Sequence, residues 1–312
     1  MVFGPAKIRI GVTPGAWTDA PEAGAEFWRL VDLCEGTAID SLWLSDRLLA
    51  PTLEPLTALA AVAGRTRRLK FGTAALVLPF RSPLLTAKAI ATLDVLSGGR
   101  VFPVVGVGVD QRREWEAAGV PPGTRGARTD EALAVIRRLF AEAEVTHQGS
   151  YFTLDRVRLV PRPVQAPPPL WIGGTTEAAL RRAGRLGDGW LASLVTPEAF
   201  ERGVERILAH AAAAGRALAG DHFGTIIPFA LAESPEAGWR AAEPRLPRDR
   251  ADEATLRAVV AVGPLAAVAA RVEEYVRRGG TKFVLRPLGP PPTRLDQLAA
   301  LAERVIPAFH AR

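Results

Sequence analysis

Short apolar runs of five to eleven residues alternate with stretches of helical periodicity along almost the whole chain, and this alternation restricts the fold more than any other feature. The runs are IRIGV (8–12), SLWLS (41–45), KFGTAALVL (70–78), VFPVVGVGV (101–109), LWIGG (170–174), GWLAS (189–193), FGTIIPFALAE (223–233) and TKFVLRP (281–287). A strand buried on both faces reads as a continuous apolar run, and helical crossovers make successive strands parallel. Eight parallel strands are also the number that closes a barrel. The expected fold is therefore α/β, a single (β/α)8 TIM barrel spanning 1–312, with an open doubly wound sheet as its rival. The helix DAPEAGAEFWRLVDLCEGT starts with Pro21 in its first turn, and the helix after the third run has Ser82 to cap it, Pro83 to open it and Gly98-Gly99 to end it. Two stretches break the rhythm. VTHQGSYFTLDRVRLVPRPVQ (145–165) alternates with period two around Gln148-Gly149, which predicts a hairpin insertion after the fourth helix. EPRLPRDRADE (243–253) has the composition of a lid loop after strand 7.

Composition narrows the function classes. The lone cysteine, Cys34, excludes a disulfide framework and a cysteine-based metal site, and its helical surroundings mark it as a buried structural thiol. A net charge of +6 invites nucleic acid, yet the arginines are scattered along helices beside Glu and Asp and form no run. No nucleic-acid partner and no membrane segment are expected, and MVFGPAKIRIGV lacks the layout of a secretion signal, so the expected location is cytoplasmic. There is no H-E-x-x-H, the four histidines lie far apart, and no metal is expected. G-x-S-x-G is missing, and GVGVDQ (106–111) has Gln111 where a dinucleotide fingerprint needs its third glycine.

A barrel of this kind does its chemistry at the C-terminal strand ends. Here those are Thr13 to Trp17, Ser45-Asp46-Arg47, Ala74 to Leu78, Gly106 to Val109, Gly173 to Thr176, Ala192-Ser193 and Arg286. That rim is apolar and glycine-rich, suited to a flat ligand with an anionic tail. Gly173-Gly174-Thr175-Thr176, between a strand and a helix start, reads either as an anion site made of bare amides or as an ordinary turn. Trp17, Phe80, Trp115 and Trp190 could line a pocket or simply pack.

SLWLSDRL (41–48), GTAALVLPFRSPLLTAKAIATLDVLSGGRVFPVVGVGVD (72–110), EWEAAGV (114–120), RGARTDEAL (125–133), LVPRPVQAPPPLWIGGTTEAALRRAGRLGDGW (159–190) and GGTKFVLRP (279–287) together resemble the bacterial luciferase-like flavin-dependent oxidoreductases, and within them the branch that uses the deazaflavin coenzyme F420. The resemblance implies an oxidoreductase that moves a hydride between the deazaflavin and a small organic substrate. FMN with oxygen activation is the alternative, and a non-catalytic flavin-binding barrel is a third reading. It implies a non-prolyl cis peptide at Ala74-Ala75 backing the ring, with Asp46, Gly106, Gly108 and Val109 around the ring and Gly173, Gly174, Thr175 and Thr176 on the phosphate. It also implies a homodimer through the second and third helices. Asp46 has a second reading as the partner of Arg47 or Arg81. Two positions depart from the family pattern. Arg47 stands where many deazaflavin relatives have His, and Val109 stands where the sugar-phosphate dehydrogenases have a catalytic Glu, so glucose-6-phosphate oxidation is not expected. Asp46, Asp110, Glu114 and Arg286 are the candidate catalytic groups, none of them assigned a role.

Overall fold

The computed structural model describes residues 7–15, 22–290 and 293–311, so the expectations at Trp17 and Pro21 lie outside the described residues. Thirteen short strands are present among them: β1 (Arg9–Val12), β2 (Ser41–Leu44), β3 (Lys70–Thr73), β4 (Leu76–Val77), β5 (Val101–Phe102), β6 (Val104–Gly106), β7 (Val145–Gln148), β8 (Thr153–Val157), β9 (Trp171–Gly173), β10 (Gly189–Ser193), β11 (Phe223–Leu231), β12 (Ala261–Gly263) and β13 (Lys282–Pro287). Eleven form one curled sheet in the order β4-β6-β9-β10-β11-β13-β1-β2-β3-β5, with β12 beside β11. Every pair in that sheet is parallel. The two ends of the path belong together in sequence, since β3 runs on into β4 and β5 into β6; residues 70–77 thus pair with 101–106 both below and above a break.

Among the described residues twelve α-helices accompany the sheet: α1 (Ala23–Gly36), α2 (Pro55–Arg65), α3 (Pro83–Ser97), α4 (Arg112–Ala117), α5 (Arg125–Ala141), α6 (Glu177–Leu186), α7 (Pro197–Ala213), α8 (Pro235–Ala242), α9 (Glu253–Val259), α10 (Leu265–Val276), α11 (Arg294–Arg304) and α12 (Ile306–His310). Among the described residues, none is long and apolar enough to cross a membrane. Their starts follow from local chemistry. Ser82 accepts from Leu85 N ahead of Pro83, Thr196 accepts from Ala199 N ahead of Pro197, and Gly98, at φ +64°, ends α3. The period-two stretch is the antiparallel pair β7–β8, between α5 and β9. Residues 243–253 form a short 3-10 turn at Glu243–Arg245, a loop, and the Asp252 cap of α9. β12 had no separate signal in the sequence.

Two apolar layers result. The larger lies between sheet and helices and takes in Cys34, whose thiol burial pushes well up. The inner one fills the barrel with Trp43, Val104, Trp171, Leu191 and Val284. Its two indoles fit because neighbouring strands lack side chains there. A Cβ on Gly72 would lie 2.7 Å from the Trp43 ring, and one on Gly189 would lie 2.4 Å from that of Trp171. The interior is therefore a filled floor, and a ligand can rest only above it.

Candidate functional site

The break in the third segment is the peptide bond Ala74-Ala75, which is cis. Its surroundings are tied to both neighbouring strands. Ala74 N donates to Leu44 O at 2.7 Å, and Ala74 O accepts from Ser45 Oγ at 3.3 Å. Just below, Thr73 Oγ1 donates to Val104 O at 2.7 Å and accepts from Val104 N at 3.1 Å. The Ala75 methyl then faces two glycines, because a Cβ on Gly106 would lie 3.3 Å from it and one on Gly173 3.2 Å. Ala74, Ala75, Gly106 and Gly173 so make a shelf almost free of side chains, directly above the indole floor.

The loop after β6 is fixed from behind. Gly108 has φ +77°, and a Cβ there would meet Val77 Cγ1 at 2.9 Å and Trp115 at 3.1 Å. Trp115 is fully buried and donates from Nε1 to Val109 O at 3.0 Å. The turn after β9 is held in a similar way. Gly174 has φ +105°, a conformation that favours glycine, and its carbonyl accepts from Trp190 Nε1 at 2.7 Å. Trp190 itself is buried and stacked on Phe200. Trp115 and Trp190 therefore brace the loops from behind rather than wall a pocket, while Phe80 packs edge-on to Trp115. Thr175 and Thr176 are exposed, and Thr176 caps α6 by accepting from Ala179 N. The N–H groups of Glu177 and Ala178, in the first turn, have no acceptor within the helix. The Glu177 carboxylate is drawn aside, 2.7 Å from both Arg206 and His210.

The acidic candidates are distributed unevenly. Asp46 Oδ2 accepts from Val77 N at 2.9 Å and from Arg81 Nη2 at 3.0 Å, and Arg81 also reaches Glu54 at 2.9 Å. Burial pushes the Asp46 carboxyl above its ordinary range, against the pull of Arg81 and the Val77 N–H. This is the Arg81 partnership raised from the sequence, and it ties the end of β2 to β4. Glu114 is buried and accepts from Leu49 N at 3.3 Å and Arg47 Nε at 3.4 Å, while Arg47 Nη2 donates to Gln111 at 2.8 Å. Asp110 points to solvent, its side chain 85% exposed and 3.7 Å from Arg125. Arg286 stands near the end of β13, half-buried. The structure brings the alanine pair, the glycines and the two threonines to one rim, with Asp46 beside them; Asp110 and Glu114 sit outside the shelf. The braces Ser45, Trp115 and Trp190 went unassigned because a hydroxyl or indole that serves a backbone carbonyl leaves no motif.

Residues 6–282 match the family described as luciferase-like monooxygenase. The chain belongs to that family. The F420-dependent glucose-6-phosphate dehydrogenase of Amycolatopsis mediterranei is 35% identical over 170 residues, 50% of this chain and 50% of the relative. An uncharacterised protein of Mycobacterium tuberculosis is 36% identical over 158 residues, 50% of this chain and 54% of its own length. The chain thus spans about half the length of the curated relatives it matches. Two solved structures share the fold across nearly the full length. An F420-dependent secondary alcohol dehydrogenase in complex with an F420–acetone adduct gives a TM-score of 0.81 at 21% identity, covering 97% of this chain and 99% of the other. The oxygenating constituent of the Pseudomonas putida 3,6-diketocamphane monooxygenase, in complex with FMN, gives 0.80 at 17% identity, covering 96% and 98%. The luciferase-like match includes the shelf and the β9–α6 turn, and ends before Arg286.

Proposed function

We propose that this luciferase-like chain is an oxidoreductase that binds coenzyme F420 at the rim and moves a hydride between the deazaflavin and a small organic substrate. In this reading residues 70–77 and 101–106 are the third and fourth strands of a closed (β/α)8 barrel, each interrupted once. The β7–β8 hairpin is its insertion, 243–253 its lid, and 1–312 one domain. The observation that carries the reading is the shelf of Ala74, Ala75, Gly106 and Gly173, where added Cβ atoms would crowd the very surface a planar tricycle needs.

Each group then has a task. The shelf seats the ring face, and Gly108 and Val109 run along the polyol chain. Gly174, Thr175 and Thr176, with the first amides of α6, hold the phosphate, where the positive end of the helix favours negative charge. Asp46, clamped to Arg81 and the Val77 amide, fixes the strand beside the ring edge. The bound deazaflavin supplies the hydride chemistry; the protein supplies orientation and a dry seat. The net charge of +6 suits a polyanionic tail.

FMN is the alternative cofactor, since the shelf suits either tricycle. A storage barrel without turnover is supported by the scarcity of free proton carriers, with Asp46 and Glu114 both held on arginines. A homodimer through α2 and α3 is supported by the exposed Leu85, Val95 and Leu96 of α3 beside the exposed Val160 and Val164, the latter segment tied to α3 by Lys88 donating to Val160 O. Titration of the purified protein with each cofactor, followed by visible absorbance, is the test. Saturable one-to-one uptake of the deazaflavin, with hydride exchange in a screen of alcohols, ketones and enones, is the expected result. Uptake of FMN alone selects the monooxygenase reading. Uptake without turnover selects storage, and failure of both cofactors to bind overturns the proposal.

A further inference from the structure

Across the barrel from the phosphate turn, the rim is cationic. β13 and β2 flank β1 in the sheet, and Arg286 and Arg47 stand at or just beyond their C-terminal ends. With strands about 4.8 Å apart, the two arginines rise from positions roughly 10 Å apart. Between them β1 leads to Gly15, at φ +76°, where a Cβ would lie 3.1 Å from Pro287 O and 4.0 Å from Arg286 Cγ. Gly15 thus brings no side chain against Arg286.

The pairing of Arg286 differs from that of Arg100, Arg137 and Arg162, each of which is held by several acceptor atoms. Arg100 donates to the carbonyls of Ser97, Leu69, Ala63 and Thr66, Arg162 to those of Leu139, Phe140 and Glu142, and Arg137 to Asp188. Among the described residues Arg286 has no hydrogen-bond acceptor and no carboxylate within reach. Its charged neighbours are Arg250, from the 243–253 segment, and Arg47; burial first, then these two cations, push its guanidinium below the ordinary range. Arg47 has committed its Nε and Nη2 to Glu114 and Gln111, which leaves Nη1 without an acceptor among the described residues. Glu114 answers Arg47 and Asp249 lies beside Arg250, but among the described residues no carboxylate reaches Arg286, and a half-buried cation in that position is expected where a ligand supplies the missing charge.

We propose that Arg286, assisted by Arg47 and Arg250, binds an anionic group of the substrate, a carboxylate or a phosphate. The proposal rests on the reading of the rim as the mouth of a cofactor and substrate site. The planar guanidinium of Arg286 offers paired N–H groups to one oxyanion, and Arg250 adds its charge from the lid side. The substrate is thereby held by its charged end between β13 and β2, with its reacting end directed over the shelf.

The test is calorimetric titration of the purified full chain, without cofactor, with benzoate and with inorganic phosphate. At least one of them saturates a single site. Arg286→Gln weakens that binding about tenfold or more with an unchanged melting temperature, Arg286→Lys restores part of it, and Arg202→Gln, an exposed control on α7, leaves it intact. Benzoate binding alone selects carboxylate substrates, and phosphate binding that depends on Arg286 selects phosphate esters. The proposal is overturned if neither anion binds, if Arg286→Gln binds as well as the natural chain, or if phosphate binding falls only with Gly174→Ala, which would locate it on the β9–α6 turn. Because no cofactor is present, failure here leaves the cofactor reading standing, and failure of cofactor binding leaves this result standing.

Discussion

At the N-terminal ends of the strands Asp40 receives Lys282, Lys70 at 3.4 Å and Arg9 at 3.6 Å, whereas at the C-terminal ends Arg286, Arg47 and Arg250 gather while Glu114 is already on Arg47 and Asp46 on Arg81. Both ends carry an excess of cations, but only the lower end has a carboxylate at its centre. Burial pushes Asp40 up, yet Lys282, Lys70 and Arg9 overcome it and hold the carboxyl at about 2. Lys282 also lies over the Trp43 ring at 5.8 Å, and His310 Nε2 accepts from Ile10 N at 3.0 Å, so this end is closed. The difference separates charge that holds the barrel together from charge left open to a ligand.

The comparison breaks most sharply at Asp40. Asp40→Asn leaves Lys282 buried without its counter-charge and is expected to cost about 3 kcal/mol in urea unfolding, with cofactor affinity unchanged. A loss of affinity with stability intact would reverse the roles of the two ends. Acid gives the next effect. Because the folded pKa of Asp40 is depressed to about 2 from 3.8, its contribution, about 2 kcal/mol, is fully present above pH 3.8 and is lost as pH falls through about 2. Unfolding measured between pH 5 and 2 should show this slope in the natural chain and a shallower one in Asp40→Asn.

The rim variants sharpen the other side. Gly174→Ala places a Cβ 3.1 Å from Ala179 at φ +105°, and cofactor affinity is expected to fall about tenfold, with stability reduced by about 1 kcal/mol. Trp190→Phe keeps the stack on Phe200 but removes the 2.7 Å bond to Gly174 O. Its expected effect is smaller, a few-fold weaker cofactor binding read by fluorescence titration.

Much of this was legible in the chain. The eight apolar runs correspond to the parallel segments of the sheet, because burial on both faces removes polar residues from a strand. Ser82, Pro83 and Gly98 bound their helix as their chemistry requires. The cis bond at Ala74-Ala75 was legible only through resemblance, since two alanines carry no chemistry of their own, whereas the glycine turn at 173–174 was legible from its place between an apolar run and a helix start. What stayed hidden was partnership. Nothing in the spacing of Arg47, Gln111 and Glu114, or of Trp190 and Gly174, announces a contact that only the folded barrel creates. That Arg286 has no partner among the described residues is equally a property of three dimensions.

The most direct measurement is a crystal structure of the protein with coenzyme F420 or FMN bound. The account predicts the ring lying against Ala74, Ala75, Gly106 and Gly173, with the phosphate on the amides of Gly174 to Thr176. A ring seated elsewhere, for instance in the outer cleft of about 500 Å³ lined by Leu265, Ala269, Val305 and Phe309, would contradict it.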